Sequence, residues 1–460
     1  MITRRTISSD DAERILQLSE NHFLDVKSID VTPAKTSKAI SAFANAGGGE
    51  LFIGIDENKK HELPARSWRG FSNEESANGF FQVFEKLDPL GNSFFYEFLH
   101  SDSNPGLLLH LVVNKTQSII KSSDGRTYIR KNAQSLPVND EQITRLKLDK
   151  GINSYEDEVL NLSFDVISNS ETTIEFLLDA IPTAEPEDWL KKQFLVSSSK
   201  PTVAGILLFS DNPQAILPKR SAVKILRYQT KADAERDFLV GDPETIEGPI
   251  YHLIYNSVDR VREIIEGIEK IGPSGMERVR YPQEALHELL TNAVLHRDYS
   301  IAADVQVRIF DNRVEIESPG KLPGHVTVEN IVKTQFARNP KIVRIVNKFK
   351  NPPNKDVGEG INTAFEAMEK LRLKKPIFDE LDGSVLVTLS HESLASPEQI
   401  VMEYLKESDE ITNQIARELT GIKSENTMKN VFYRLRDRGE LEQSPKVPGK
   451  KHSWRKAKPS

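Results

Sequence analysis

The sequence contains no cysteine in 460 residues. That excludes disulfides, zinc–thiolate sites, iron–sulfur clusters and a cysteine nucleophile. It fits a reducing compartment, and a cytoplasmic location is the expectation. No apolar run approaches the roughly 18 residues of a membrane span, so no membrane partner is expected. The opening Met1-Ile2-Thr3-Arg4-Arg5 leads into polar residues and does not read as a signal peptide. No G-x4-G-K-S/T segment occurs, which excludes a P-loop nucleotide site. Positive charge is scarce: 61 Lys and Arg stand against 68 Asp and Glu, a net charge of −7. Coating of nucleic acid by bulk charge is thereby excluded, and contact has to come from local basic patches.

The length predicts two to four domains. The order of patterns predicts a multidomain α+β protein. Over 1–150, helical spacing at 8–20 and 33–45 alternates with strand patterns at 23–27, 51–55, 107–113 and 127–130. The polar stretch 151–200 reads as a mostly helical connector. Over 201–392, strands are expected at 203–209, 222–228, 304–310 and 313–317, and helices at 250–270 and 282–296. Over 396–460, three helical stretches (397–406, 411–419 and 425–438) have the spacing of a helix-turn-helix, with Thr420-Gly421 near its turn. A basic end after 441 would be its wing.

Three groups of residues carry chemistry. In the first, Glu20 and Asp25 bracket the entry to a strand, and Lys27 shares a strand face with Asp25. A third acid, Asp56 or Glu57, ends the 51–55 strand, and alternation puts these two on opposite faces. If the strands pair, three carboxylates and a lysine converge. Such a set can hold Mg²⁺ or Mn²⁺ for attack on a phosphodiester, with the lysine meeting the phosphate charge. Solvated strand-end charges have the same spacing. Arg126, Arg130 and Lys131 add a basic strand with Tyr128, suited to tracking phosphates.

In the second group, Glu288 and Asn292 lie four apart on one helical face, and His296 continues the line. A Glu to orient water and an Asn to hold Mg²⁺ fit a nucleotide site without a P-loop. Gly320 and the pair Gly358 and Gly360 supply glycine loops that can cradle phosphates through backbone N–H groups. Arg297 or Asp298 is expected to position the nucleotide helix. In the third group, Lys429 and Arg434 lie on the expected recognition helix of the tail.

Two resemblances sharpen these readings. Glu20-Asn-His-Phe-Leu-Asp25-Val-Lys27, Ser41-Ala-Phe-Ala-Asn45-Ala-Gly-Gly-Gly49 and Phe52-Ile-Gly-Ile-Asp56-Glu57 resemble the AlbA-type domain of the Schlafen family over about 10–135. The resemblance implies a metal-bound catalytic trio of Glu20, Asp25 and Asp56 or Glu57. The chain departs in having Asp25 where Glu is usual. Glu288-Leu-Leu-Thr-Asn-Ala-Val-Leu-His-Arg-Asp-Tyr, Ile309-Phe-Asp-Asn-Arg-Val-Glu-Ile-Glu-Ser-Pro-Gly320, Arg338-Asn-Pro340 and Gly358-Glu-Gly360 resemble the RecG-related, divergent GHKL ATP-binding domain over about 200–390. This implies ATP as ligand, Asn292 as its magnesium ligand, and contacts from Glu288, His296, Gly320, Arg338, Gly358 and Gly360. The Asp that contacts adenine in GHKL proteins is missing before Gly320. Helicase motifs are absent.

Together these imply a nucleotide-regulated, metal-dependent nuclease of Schlafen type acting on RNA, such as tRNA, or on DNA, in prokaryotic antiviral defence or stress. A homodimer or larger homo-oligomer is expected, since GHKL domains tend to dimerise. The alternative is an ATP-sensing, DNA-binding transcriptional regulator that does not cut.

Overall fold

The computed structural model describes residues 3–58, 65–87, 93–218, 221–272, 275–279, 281–353, 360–371, 373–391, 397–420, 422–445 and 452–457. It is an α+β protein in two compact units. One comprises 1–368 with 375–391, the other 369–374 with 392–460. Among the described residues no helix is long and apolar enough to cross a membrane.

The first unit begins with a five-stranded sheet in the order Thr3–Thr6, Phe94–Ser101, Asn104–Val113, Gly49–Ile53, Leu24–Lys27. Leu24–Lys27 is the edge strand, paired parallel to Gly49–Ile53 with Asp25 opposite Leu51. A parallel pair needs a crossover, and the helix Pro33–Asn45 supplies it. Pro33 sits where a helix needs no N–H. Ala39, Ile40 and Phe43 bury the helix against Leu51, Leu109 and Phe98. The three glycines end it for steric reasons. Gly48 has φ +87, and a Cβ at Gly49 would lie 2.4 Å from the Phe43 ring. Asn45 anchors the next loop: its amide donates to the carbonyls of Ile120 (2.8 Å) and Tyr128 (3.0 Å) and accepts from Ile120 N–H (2.9 Å). Each such buried bond is worth about 1 kcal/mol net.

A six-stranded sheet follows, in the order Glu244–Ile246, Val223–Arg227, Val305–Ile309, Arg313–Pro319, Ser384–Ser390, Ile377–Glu380. The helices Ile250–Glu266 and Gln283–Leu295 pack on each other and on this sheet. Val305–Ile309 alternates buried and half-buried residues, as its sequence alternates.

One expected strand is a helix. Val203–Phe209 is helical and every residue in it is buried. A short, wholly apolar run carries no period that separates a buried strand from a buried helix. The deciding group is Thr202, whose hydroxyl caps the helix by accepting from Gly205 N–H at 3.2 Å. The 151–200 segment, expected to be mostly helical, is α-helical only over Asp165–Ser168, Glu171–Ala180 and Pro186–Lys192 and ends in the short strand pair Val196–Ser197 and Lys200–Pro201; it packs into the same unit. Phe176 and Trp189 meet Phe209, with ring centroids 5.3 and 5.6 Å apart.

In the second unit the helices Pro397–Glu407, Asn413–Thr420 and Glu425–Asp437 surround Val401, Met428, Phe432 and Trp454. The strands Ile411–Thr412, Ser453–Lys456 and Leu441–Gln443 form a three-stranded sheet in that order. Gly421 of the expected turn lies outside the described residues.

Candidate nucleotide and nucleic-acid sites

On the edge strand Leu24–Lys27, alternation places Asp25 and Lys27 on one face, and Glu20 reaches them from the preceding turn. Lys27 Nζ lies 2.5 Å from Asp25 Oδ1 and 3.4 Å from Glu20 Oε1. Glu20 Oε1 also accepts from Val26 N–H at 2.9 Å, which satisfies a backbone donor of the sheet edge. Burial, and a hydrogen bond with Glu20, push the Asp25 carboxyl up to about 6. Glu20 stays below its ordinary value: burial opposes ionisation, but hydrogen bonds from Asp25, Val26 N–H and Lys27 outweigh it.

Arg130 was expected on the surface and is inside. Its side chain is 1% exposed and lies 3.5 Å from Asp25 Oδ2. It also donates to the carbonyls of Asn21 (3.0 Å) and Leu24 (2.9 Å) and rests on the Phe43 ring. A guanidinium so enclosed braces the Glu20–Asp25 turn and is not available to a phosphate. Arg126 and Lys131 are exposed.

The third acid does not join the first two. Glu57 and Asp56 lie on Ile55–Asn58, which pairs with Ala65–Trp68. Glu57 Oε1 accepts from Arg66 Nη2 at 2.7 Å and Nε at 2.9 Å. Asp56 Oδ2 lies 3.5 Å from Arg69, while its buried Oδ1 has no partner. Among the described residues no group of three or more His, Asp or Glu is arranged to hold a metal ion. The first pair of acids already faces Lys27 and Arg130, and each candidate third acid faces an arginine. The residues present do not fit a carboxylate-bound metal here.

The second site is a cavity of about 890 Å³ in the same unit, lined by Glu288, Asn292, His296, Gly320 and Gly360 among others. Helix Gln283–Leu295 presents Glu288 and Asn292 one turn apart, and Asn292 Nδ2 donates to Glu288 Oε1 at 2.8 Å. Burial raises the Glu288 carboxyl above its ordinary value. Gly360, the first residue of the helix Gly360–Lys370, lies against the Glu288 carboxylate, and a Cβ there would push that carboxylate aside. Gly358 lies outside the described residues. Gly320 has φ +104, and a Cβ there would lie 2.6 Å from Asp298 Cβ. His296 is pushed down to about 4 by burial and by Arg338, so it is neutral, and its Nδ1 has no partner. Ser318 Oγ donates to Ala293 O at 2.8 Å. It is therefore committed to the helix.

This donor set fits a magnesium nucleotide. Mg²⁺ is usually held by one or two protein oxygens, with phosphate oxygens and water completing the shell. Glu288 and Asn292 can supply that share.

Arg338 does not line the cavity. It is buried beneath the loop and donates to Leu148 O at 3.1 Å, to Lys321 O, and to Asp298 Oδ2 at 3.3 Å. Asp298 also pairs with Arg145 at 2.5 Å. The end of the nucleotide helix is closed by neither Asp298 nor Arg297 but by Asn339, whose amide donates to Leu295 O and Arg297 O, both at 2.9 Å. Sequence reading missed Asn339, Phe336, Arg145 and Lys115. Arg338-Asn339-Pro340 was the available signal for Asn339. Arg145 and Lys115 meet partners more than 150 residues away, and no local pattern marks them.

On the tail helix, Lys429 pairs with Glu425 at 2.8 Å and Arg434 with Glu398 at 2.6 Å.

Comparison with known proteins agrees with this division. Residues 20–139 match the family model "Schlafen, AlbA_2". Residues 302–389 match the model "Putative ATP-dependent DNA helicase recG C-terminal". The chain thus joins a Schlafen AlbA-type domain to a RecG C-terminal-type ATPase domain, which ties it to nucleic acid and to ATP. No curated protein matches it. Among solved structures it is similar to the DIP2311 protein from Corynebacterium diphtheriae, at 15% identity over 97% of this chain and 96% of that one, with a TM-score of 0.42. It is also similar to the N-terminal domain of a RecG-related protein from Nitrosomonas europaea, at 14% identity over 29% of this chain and 90% of that one, with a TM-score of 0.23.

Proposed function

We propose that this chain is a nucleotide-controlled nucleic-acid-binding protein. ATP with Mg²⁺ occupies the Glu288–Asn292 cavity. Nucleic acid is held by the N-terminal domain, with the exposed Arg126 and Lys131 as its phosphate contacts. The observation that carries the reading is the joint placement of Asn292, Glu288 and Gly360. The amide and carboxylate are hydrogen-bonded at 2.8 Å, and Gly360 at the start of the helix Gly360–Lys370 lies so close that a Cβ there would displace the carboxylate. Lysines and arginines near a phosphate path position it without reading sequence.

Binding is favoured over metal-dependent cutting at the N-terminal acids. Cutting by the expected trio needs Asp56 or Glu57 beside Glu20 and Asp25, and both face arginines instead. We read 397–456 as a winged helix, on its element order, with a secondary share in duplex contact.

The test is calorimetric titration of ATP in Mg²⁺, followed by binding of labelled single-stranded RNA and duplex DNA. A Mn²⁺ cleavage assay runs beside them. Saturable ATP binding, with nucleic-acid affinity weakened by Arg126→Glu and Lys131→Glu, is the expected result. Metal-dependent cutting lost in a Glu20→Ala, Asp25→Ala double variant would restore the nuclease reading. Absence of ATP binding would remove the nucleotide site.

A further inference from the structure

One wall of the cavity is held by the N-terminal domain. The wall is the segment 320–326, of which Gly320, Lys321, Leu322 and Val326 line the cavity, and Phe336 lines it beside them. Lys115, two residues past the strand Asn104–Val113, donates from Nζ to Leu322 O at 2.8 Å and Val326 O at 3.2 Å. Gly324 N–H donates to Asp149 O at 3.3 Å, at the end of the helix Asp140–Asp149. From the same helix Arg145 reaches Asp298, against which Gly320 is pressed. A Cβ at Gly151 would lie 2.5 Å from the Phe336 ring. A ligand that shifts this wall must shift Lys115 or strain its bonds.

Those anchors reach the strand of the acid site through one helix and one strand. Lys150 Nζ donates to Ala44 O at 3.0 Å, and Thr116 N–H to the same carbonyl at 3.1 Å. Ala44 lies in the last turn of the helix Pro33–Asn45, which leads into Gly49–Ile53. That strand pairs with Asn104–Val113 on one side and with Leu24–Lys27 on the other. Close-packed elements joined in this way move as discrete bodies and do not deform smoothly.

We propose that occupancy of the cavity is transmitted through Lys115 and the 140–151 segment to the helix Pro33–Asn45, and from its last residue, Asn45, which bonds Ile120 and Tyr128, to the segment that carries Arg126 and Lys131. Nucleotide is then an effector of nucleic-acid binding by the N-terminal domain. This rests on the nucleotide reading above and names its route of control. Linkage requires the effect to be mutual: nucleic acid must change ATP affinity by the same factor.

The experiment measures binding of a fluorescein-labelled single-stranded RNA to the full chain, with and without saturating Mg·ATP. Wild type is compared with Lys115→Met and Arg145→Met, neither of which lines the cavity. Wild type is expected to show at least about a fivefold change in RNA affinity, and each variant about a onefold ratio with ATP affinity kept within about threefold. Variants that keep the wild-type ratio, or a wild type that binds ATP with no change in RNA affinity, overturn the route and leave the nucleotide site standing. Failure of wild type to bind ATP removes both. Hydrogen exchange on wild type covers the case in which a variant does not fold. ATP is expected to slow exchange at 113–118 and 140–151, and a response confined to 283–390 overturns the route.

Discussion

Asn292 donates its side-chain amide to Glu288 Oε1 at 2.8 Å, one helical turn away on the cavity side of Gln283–Leu295. The bond fixes which Asn292 atom remains for a ligand. With Nδ2 turned to the carboxylate, Oδ1 is the group left to meet a cation. Asn292→Ala removes that oxygen and leaves the half-buried Glu288 without its Asn292 partner. Mg·ATP affinity is expected to fall at least about tenfold, about 1.4 kcal/mol. Glu288→Gln keeps the shape and removes the charge. It is expected to retain ATP binding while abolishing any hydrolysis above background. Calorimetry and phosphate release separate the two variants, and an Asn292→Ala protein that binds ATP normally sinks the assignment.

Much of this site was legible in the sequence because it is local. Glu288, Asn292 and His296 share a helix face by spacing alone, and the glycine at 320 marks a place where backbone must come close. Asp25 and Lys27 likewise share a strand face by alternation. What sequence could not supply was the environment. Arg130 alternates correctly in its hairpin, yet the strand lies over Phe43 and turns the guanidinium inward. Asp56 and Glu57 end the right stretch of chain. The break at Gly54, with φ +125, starts a separate hairpin, and Arg66 and Arg69 claim both acids there. The Val203–Phe209 run had no period to read, and its cap decided it.

Lys150 tests the seam between the domains by its charge. Burial, and then the neighbouring Lys115, lower its ammonium to about 7. A lysine lowered on folding binds fewer protons folded than unfolded between that value and its ordinary 10.5. Stability then rises with pH across this window and is lost as pH falls through about 7. Its slope is at most about 1.4 kcal/mol per pH unit from this group. Lys150→Met removes the titration. The difference in unfolding free energy between wild type and variant is expected to move in favour of wild type from pH 7 to pH 9. A flat difference would mean that the acceptors Ala44 O, Thr116 O and Thr116 Oγ1 keep the ammonium charged.

The separation of the acids makes a statement about metals. With Glu57 on Arg66, the described residues bring no three carboxylates together for Mn²⁺, and millimolar Mn²⁺ is expected to leave the melting temperature of nucleotide-free protein within about 1 °C. A ligand binding only the folded state stabilises in proportion to the logarithm of its concentration over Kd, so tight binding would be visible. Arg66→Met frees Glu57. If the hairpin can then swing toward Glu20 and Asp25, the variant gains a Mn²⁺-dependent rise that wild type lacks. A clear rise in wild type would instead show that metal assembles the trio by itself.

The tail sets a different balance between acids and bases. Arg434 lies 2.6 Å from Glu398, and Lys429 lies 2.8 Å from Glu425 one turn before it. Exposed pairs of this kind contribute roughly 0–1 kcal/mol each, so they cost little to break. While intact, however, they cancel the charge that a phosphate would meet. Each phosphate neutralised by a cation adds about 0.9 to the slope of log affinity against log salt on duplex DNA. Glu398→Gln leaves the Glu398 side chain's shape in place and releases Arg434. Duplex affinity is therefore expected to rise, with the salt slope steeper by about one. The double variant Glu398→Gln, Arg434→Ala removes both charges and is expected to leave wild-type affinity nearly unchanged, because the pair it removes was already neutral. The reverse pattern, with loss in the double variant and no gain on Glu398→Gln, would mean that DNA itself breaks the pair and that Arg434 is a contact in the wild-type protein.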